Sequence, residues 1–312
     1  MSGTGKREKQ IQFRYYEIPQ NQPLMALLGE KWVRPYGEGV EYLHFHNYLE
    51  IGFCYDGTGN VVLDEQIVNY HKDMFSVIPK NFPHTTNSEN YALSRWEYLF
   101  IDVENFLHEV YRDNLIFAND MIALVNSRAY LLDAAGQPEL AGLILQIMNE
   151  MRDKKEFYLE TIKGLLLSLM IHIARLGSRH TGKVRKQTGG QVQIADVLDY
   201  ISRHFEEDLT IGKLAAVSHM SETHFRRIFL KNMNMTPSDY LNMVRVHAAC
   251  EYMKKSSVSM NLVAEKCGFQ SVSTFNRNFK KIVGITPYQW KIHPENYEGR
   301  LLNCKISAYK GW

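Results

Sequence analysis

The C-terminal third of this chain contains one pattern twice. Residues 221–237 (SETHFRRIFLKNMNMTP) and 271–287 (SVSTFNRNFKKIVGITP) align at an offset of 50 residues. The identical positions are Ser221/Ser271, Phe225/Phe275, Arg227/Arg277, Phe229/Phe279, Lys231/Lys281, Thr236/Thr286 and Pro237/Pro287. Self-similarity of this kind indicates two copies of one supersecondary unit, so any fold for this region must accommodate the unit twice.

Each copy predicts a short apolar helix, a turn and a second helix. Ser221 is a natural N-cap for the second helix of the first copy. Phe225 and Phe229 follow at helical spacing and would bury one face. Before the turn the offset falls to 49, with Ala215 against Ala264, so the second turn should be one residue longer. This order of elements is the helix-turn-helix layout.

The faces opposite the phenylalanines are polar, and they supply the candidate DNA contacts. These are Thr223, Arg226, Arg227 and Lys231 in the first copy, and Ser273, Thr274, Asn276, Arg277 and Lys281 in the second. Arginine pairs well with guanine and asparagine with adenine in the major groove, while lysine suits phosphates. An ordinary solvated face would explain one such helix, but two matched copies favour DNA binding. Residues 191–312 also carry a net charge of +5, against −3 for residues 1–190.

Residues 192–293 resemble the AraC/XylS-type DNA-binding domain, most specifically in GFQSVSTFNRNFKKIVGITPYQW, residues 268–290. The resemblance implies two helix-turn-helix subdomains joined by a long helix, here residues 238–254. It also implies that both recognition helices enter successive major grooves on one side of double-stranded DNA. His219 and Asn234 stand where many members carry glycine.

Residues 10–102 predict a β-structure, because short apolar runs alternate with turn signals such as Asp56-Gly57. His44 and His46 are two residues apart and would point to the same side of a strand. Glu50 can join that interior side from the next strand, together with Gly52 and Cys54. The intervening residues of the second strand, Leu49, Ile51, Phe53 and Tyr55, would then face the other way.

This N-terminal pattern resembles the cupin jelly roll, whose motifs place histidines and a glutamate around a metal ion. His44, His46, Glu50 and His84 fill the four positions, so a divalent metal is chemically possible. Sensor domains in the regulator family often keep this pattern without metal, and Asn81 replaces a usual glycine of the second motif. We therefore expect no metal or other cofactor. Instead we expect a small-molecule pocket in the barrel, lined by His44, His46, Glu50, His84 and Trp96.

Residues 103–177 change to helical periodicity and predict a helical layer on the barrel. The second long helix is apolar on more than one side, since Leu165, Leu167 and Ile171 add a further face. A homodimer would explain that face, and a wholly intramolecular layer is the alternative. Residues 178–191 (SRHTGKVRKQTGGQ) predict a flexible linker. The tail, residues 294–312, is assigned no role.

Together these features predict an α+β protein with a cupin-like sensor and dimerisation domain (1–177), a linker (178–191) and an all-α double helix-turn-helix domain (192–293). We expect a transcription regulator and not an enzyme, an activator that responds to a carbohydrate-like small molecule. A metal-dependent cupin enzyme fused to a DNA-binding module is the alternative. The expected partners are double-stranded DNA, the effector, a second copy of the chain and RNA polymerase. The charged N-terminus, the scattered cysteines and the lack of a long apolar run predict a cytoplasmic protein without a membrane partner.

Overall fold

The computed structural model describes residues 11–14, 16, 18–19, 22–37, 43–63, 66–178, 190–233, 235–255 and 258–292. Residues 18–186 belong to one compact unit and residues 187–312 to a second. Most of the predicted linker and the whole tail lie outside the described residues. A β-rich first unit followed by a helical second unit confirms the α+β fold class.

The described residues form eleven strands. They are β1 (Ile11–Arg14), β2 (Leu24–Leu27), β3 (Val33–Pro35), β4 (Leu43–His46), β5 (Leu49–Asp56), β6 (Gly59–Leu63), β7 (Gln66–Tyr70), β8 (Met74–Ile78), β9 (His84–Ser88), β10 (Leu93–Ile101) and β11 (Tyr130–Asp133). One sheet has the order β1-β4-β9-β6-β7, and the other has the order β11-β8-β5-β10-β2, with β3 also pairing with β10. Side chains of the two sheets meet in a shared interior, where the rings of Tyr70 and Trp96 lie 4.9 Å apart.

Four helices cover the outer face of the six-stranded sheet: α1 (Val103–Val110), α2 (Leu115–Val125), α3 (Pro138–Asp153) and α4 (Tyr158–Ser178). Leu49, Ile51 and Phe53 of β5 pack against them in one apolar core. Gly52 and Glu50, between these residues, therefore face the barrel interior, as the alternation predicts. Residues 103–177 are not wholly helical, however. Strand β11 interrupts them and pairs antiparallel with β8, which extends the sheet by one strand.

A buried carboxylate joins the barrel to the helical layer. The side chain of Glu97, on β10, has no exposed surface. Its Oε2 accepts a hydrogen bond of 2.6 Å from Arg152 of α3, and its Oε1 accepts bonds from Arg95 and from the backbone N–H of Gly29. Sequence reasoning missed this group, because Arg152 and Gly29 lie 55 and 68 residues away along the chain. The network satisfies a charge that would otherwise be costly to bury.

We expect Glu97→Gln to lower the free energy of unfolding by about 1–3 kcal/mol, because the two arginines lose their shared carboxylate. The loss should fall towards the lower end, since Arg95 and Arg152 remain partly in contact with water. Urea unfolding of the variant and parent measures the effect. Glu156→Gln, at an exposed position, is the control, and an equal loss in both variants would contradict a stabilising role for Glu97.

Candidate functional site: duplicated recognition helices and a buried histidine cluster

The second unit contains the predicted duplication. Its helices are α5 (Gly190–His204), α6 (Ile211–Val217), α7 (Glu222–Met233), α8 (Pro237–Lys255), α9 (Met260–Lys266), α10 (Val272–Val283) and α11 (Pro287–Ile292). Helices α6 and α7 form the first copy, α9 and α10 form the second, and α8 connects them. Four residues separate α6 from α7 and five separate α9 from α10, so the second turn is longer by one residue, as predicted.

The two turns begin with the same backbone geometry. His219 and Gly268 both have positive φ angles, of 53° and 78°. The N–H of the following residue donates to a helix carbonyl in each copy, from Met220 to Ala215 O at 3.0 Å and from Phe269 to Ala264 O at 2.9 Å. A non-glycine residue therefore occupies the left-handed position of the first turn.

Both copies also use the same packing. Phe225 and Phe229 meet edge to face at 5.5 Å, and Phe275 and Phe279 do so at 5.6 Å. These four rings are fully buried. An aromatic residue 11 positions further along covers each pair: Tyr240 lies 5.9 Å from Phe229, and Trp290 lies 6.2 Å from Phe279. Burial of the rings fixes the rotation of α7 and α10, and so determines which side chains face outwards.

Most of the candidate DNA contacts lie on the outward faces. Thr223, Arg226, Arg227, Ser273, Asn276, Arg277 and Lys281 are exposed, while Thr274 is half-buried. The side chain of Lys231 lies outside the described residues. The hydroxyl of Thr274 accepts a hydrogen bond of 3.0 Å from Ser271, the N-cap of α10, which makes it less accessible to DNA than the other candidates.

The charged candidates differ in their partners. Arg226 lies 3.8 Å from Glu222, and Arg227 lies 3.2 Å from the ring of His224, both on the same helix. Such exposed contacts are weak and yield readily to a phosphate or a base. Lys281 instead bonds to Asp239 of α8 at 2.8 Å. This contact joins the second recognition helix to the connecting helix, a constraint that the sequence pattern did not indicate.

In the first unit, the four predicted pocket residues meet in the barrel interior. His44 lies opposite His84 in the pairing of β4 with β9, and their rings are 4.2 Å apart. Glu50 of β5 lies close to two of the three histidines. Its Oε2 lies 3.1 Å from His46 Nε2, and its Oε1 lies 3.4 Å from His84 Nε2. All four residues are at least 96% buried. The spacing of the motif therefore corresponds to one cluster across the two sheets.

The ring nitrogens in this cluster impose a charge requirement. Nδ1 of His46 lies 2.8 Å from Tyr48 O, and Nδ1 of His84 lies 2.9 Å from Phe82 O. A carbonyl only accepts, so both Nδ1 atoms must donate. In a neutral imidazole, Nε2 then carries a lone pair, and here that lone pair faces the carboxylate of Glu50. A positive charge, from a proton or a metal ion, is needed to stabilise this arrangement.

The pKa values of Glu50 and His46 bear on where this positive charge can reside. Burial alone would raise the pKa of Glu50, but His84 and His46 outweigh it and hold that pKa far below its ordinary range. Burial lowers the pKa of His46 despite the opposing effect of Glu50. Glu50 is thus ionised at neutral pH, while a second proton on His46 is disfavoured. A bound metal ion is one source of the required charge.

The donors suit a divalent metal. Ligand atoms of His44, Glu50 and His84 all lie within 4.8 Å of one another. Two ligands of one zinc ion lie at most about 4 Å apart, so a small side-chain movement would bring these three into range. The bonds from Nδ1 to backbone carbonyls are the usual outer contacts of metal-binding histidines. His44, Glu50 and His84 could hold the metal.

Known protein families match both units of the chain. The model of an AraC-like ligand binding domain matches residues 34–170, and the model of a helix-turn-helix domain matches residues 214–292. Together these matches cover more than half of the chain. The chain belongs to the AraC-type transcriptional regulators.

Two curated proteins named as transcriptional regulators or activators match parts of this chain, and one solved structure was also found. An uncharacterized HTH-type transcriptional regulator of Bacillus subtilis, YobQ, is 24% identical over 78% of this chain and 86% of its own length. The bifunctional transcriptional activator/DNA repair enzyme AdaA of the same organism is 34% identical over 30% of this chain and 45% of its own length. ToxT from Vibrio cholerae covers 89% of this chain and 98% of its own, with 10% identity and a TM-score of 0.35. The chain spans less than half the length of several other relatives that it matches.

Among the described helices, none is long and apolar enough to span a membrane.

Trp96, the fifth predicted pocket residue of this AraC-type regulator, lies among other aromatic residues and is fully buried. It stacks on Tyr98 at 6.2 Å and meets Tyr70 edge to face. A side chain at position 52 would crowd it, because a Cβ on Gly52 would lie 3.2 Å from the Trp96 ring and 2.8 Å from Ser76 Oγ. Trp96 therefore fills the barrel interior beside the histidine cluster and is not a member of that cluster.

Sequence reasoning missed a group of hydroxyls next to Trp96. The Tyr70 hydroxyl donates to Ser94 at 2.9 Å, and the Ser88 hydroxyl donates to Ser94 at 3.1 Å. The hydroxyl of Tyr36 donates to the carbonyl of Trp32. Ser94, Trp96 and Tyr98 alternate along β10, so the period of two could have revealed that face. This polar and aromatic interior differs from the apolar core on the outer face of the same strand.

The pKa of Glu50 yields a prediction about pH. Because this pKa is lower in the folded protein than its ordinary value of 4.5, ionised Glu50 stabilises the fold above about pH 4.5, and the contribution disappears as the pH falls. The parent should therefore lose more stability than Glu50→Gln between about pH 7 and pH 3, as measured by urea unfolding. Glu109→Gln, at an exposed position, should follow the parent. Equal pH dependence in the parent and Glu50→Gln would mean that Glu50 is not ionised in the fold.

Proposed function

We propose that this AraC-type regulator reads a bipartite DNA sequence through α7 and α10, and that a small molecule in the barrel controls the binding. The matched outward faces of these helices carry the proposal. Arg227 and Arg277 occupy equivalent positions in the two copies, each on a helix anchored by a buried phenylalanine pair. Both arginines are exposed. Two such helices in one unit suit adjacent segments of a major groove.

The proposed DNA contacts are divided by chemistry. Arg226, Arg227, Asn276 and Arg277 have side chains suited to base edges. Thr223, Ser273 and Lys231 are proposed as supporting contacts to bases or phosphates. Lys281 is the weakest candidate, because contact with a phosphate would compete with its bond to Asp239.

The barrel interior supports an effector with several hydroxyl groups. Ser88, Ser94 and Tyr70 carry hydroxyls that hydrogen-bond to one another, in the same interior as the stacked rings of Trp96 and Tyr98. The histidine cluster supplies further polar groups in the same interior. A carbohydrate-like molecule matches this combination of stacking surface and hydrogen-bonding groups. A ligand shifts an equilibrium between two arrangements only by its difference in affinity for them. We propose that the effector binds more tightly to the arrangement that activates transcription.

A homodimer forms part of the proposal. Leu165, Leu167 and Ile171 of α4 are half-buried and pack on the core of their own unit, which satisfies part of the predicted second face. Leu115, Ile116 and Phe117, at the start of α2, remain exposed. A second copy would remove this apolar surface from water. Contact with RNA polymerase is the remaining proposed interaction, since activation requires recruitment of the enzyme.

Arginine substitutions test the DNA contacts. A target is obtained by selecting bound duplexes from a random pool with the full chain. We expect Arg227→Ala and Arg277→Ala each to weaken binding to that target by about 1–3 kcal/mol and to relax base preference locally. Fluorescence anisotropy on the target and on random duplex measures both effects.

Lys280→Ala is the matched control, because it removes one exposed charge from α10. It should weaken target and random duplex alike and reduce the salt dependence. Equal losses on both duplexes for the arginine variants would make them phosphate contacts. If the parent selected no preferred sequence, the proposed function would be wrong.

A metal-dependent cupin enzyme linked to the DNA-binding unit is the second candidate, supported by the charge requirement of the histidine cluster. Protein purified without chelator would then contain about one equivalent of Fe, Mn or Zn by mass spectrometry. His84→Gln and Glu50→Gln should abolish the metal, whereas His172→Gln, on α4, should retain it. Metal-free parent that still binds the selected duplex would exclude this candidate.

A further inference from the structure

The two turns of the duplicated unit differ in what surrounds them. His219 shows that a side chain fits the backbone conformation of the first turn. At the equivalent Gly268, a Cβ would lie 2.4 Å from Phe205 O and 3.0 Å from Glu206 Cα. The second turn therefore packs directly on the backbone that follows α5. Space, and not the φ angle alone, demands glycine at position 268.

Arg245 of the connecting helix holds this contact in place. Its Nε donates to Phe205 O at 2.8 Å, and its Nη2 donates to Glu207 O at 2.7 Å. These carbonyls lie just beyond the end of α5, where a cation also interacts favourably with the helix dipole. The same guanidinium lies 5.8 Å above the ring of Phe269, in the second turn. One side chain thus contacts the end of α5 and the turn between α9 and α10.

This geometry joins parts of both copies. Helix α5 packs against α6 and α7 of the first copy, and Phe269 packs on Phe275 of α10 at 5.3 Å. A displacement of the Gly268 turn from α5 would therefore move α10 relative to α7. The opposed positions of Gly268 and Arg245 leave little room for such a displacement.

We infer that Arg245 and Gly268 are positioning residues that fix the spacing and orientation of the two recognition helices, without themselves contacting DNA. This inference rests on the proposed reading of a bipartite site by α7 and α10. Its specific consequence is the tolerance for spacing between the two halves of the DNA site. A rigid pair of helices accepts one spacing, and a loosened pair accepts several at lower affinity.

The test uses the full chain and the duplex that the parent selects from a random pool, together with versions in which one or two base pairs are inserted between the halves. We expect the parent to bind the inserted versions at least about tenfold more weakly than the selected duplex. Arg245→Gln and Gly268→Ala should bind the selected duplex about tenfold more weakly than the parent, since a partly buried network is broken. They should also lose much less affinity on insertion, and bind random duplex as the parent does.

Two controls match these variants. Arg203→Gln removes an exposed arginine of α5 that pairs with Asp199 on the same helix. Gly284→Ala adds a Cβ at another positive φ, of 89°, where no atom lies within 4 Å. Both controls should keep the parent's spacing preference. Gly284→Ala thus separates backbone strain from the contact with Phe205.

The outcomes are distinguishable. If the parent selects a bipartite site and both positioning variants keep its full spacing preference, the inference is wrong and the proposed function stands. If the parent selects no site, both fail. Circular dichroism verifies folding, and Arg245→Lys, which retains the charge but has one nitrogen for the two carbonyls, should give an intermediate spacing profile. If all three variants lose helical structure while the controls fold, the contact maintains the fold and the positioning role is wrong.

Discussion

The alternation of side chains along β5 and β10 is the constraint on which the N-terminal unit depends. Each strand has one face in the apolar core with the helices and another in the barrel interior. Leu49 and Ile51 pack under the helical layer, whereas Glu50 between them reaches the histidines. A slip of one residue in register would place a carboxylate in the apolar core and leucine among imidazoles. The strand register thus specifies the core and the candidate pocket together.

The C-terminal unit obtains two similar recognition helices from unequal surroundings. The aromatic pairs and the serine caps repeat, and they give α7 and α10 the same local frame. The contacts of the second copy with the rest of the unit do not repeat. Gly268 lies against the end of α5, and Lys281 bonds to α8. Under the proposed reading of DNA, the two helices must nevertheless be held at a fixed distance, and contacts that are not repeated between the copies are suited to that task.

Local patterns in the sequence predicted much of this structure, because periodicity and caps act over a few residues. The shared face of Glu50 and Gly52, the outward arginines and the longer second turn followed from spacing alone. Contacts between distant segments did not. Arg245 donates to backbone carbonyls 38 and 40 residues away, and carbonyls leave no trace in a sequence. Glu97 and β11 were missed for the same reason. Trp96 was placed in the interior correctly, but its neighbours Tyr70 and Tyr98 depend on the pairing of distant strands.

Tyr98 is affected by the charge of Glu50 in the histidine cluster and also stacks on Trp96, beside the hydroxyl groups. Burial raises the pKa of its hydroxyl well above the ordinary value, and the negative charge of Glu50 raises it further. Tyr98 therefore stays protonated and stacks on Trp96 in the hydroxyl-rich half. Because Glu50 affects this phenol, whatever cation balances Glu50 also changes the field at the phenol. The proposed effector, if bound beside Trp96, would therefore be coupled by short-range Coulomb forces to the charge that balances Glu50.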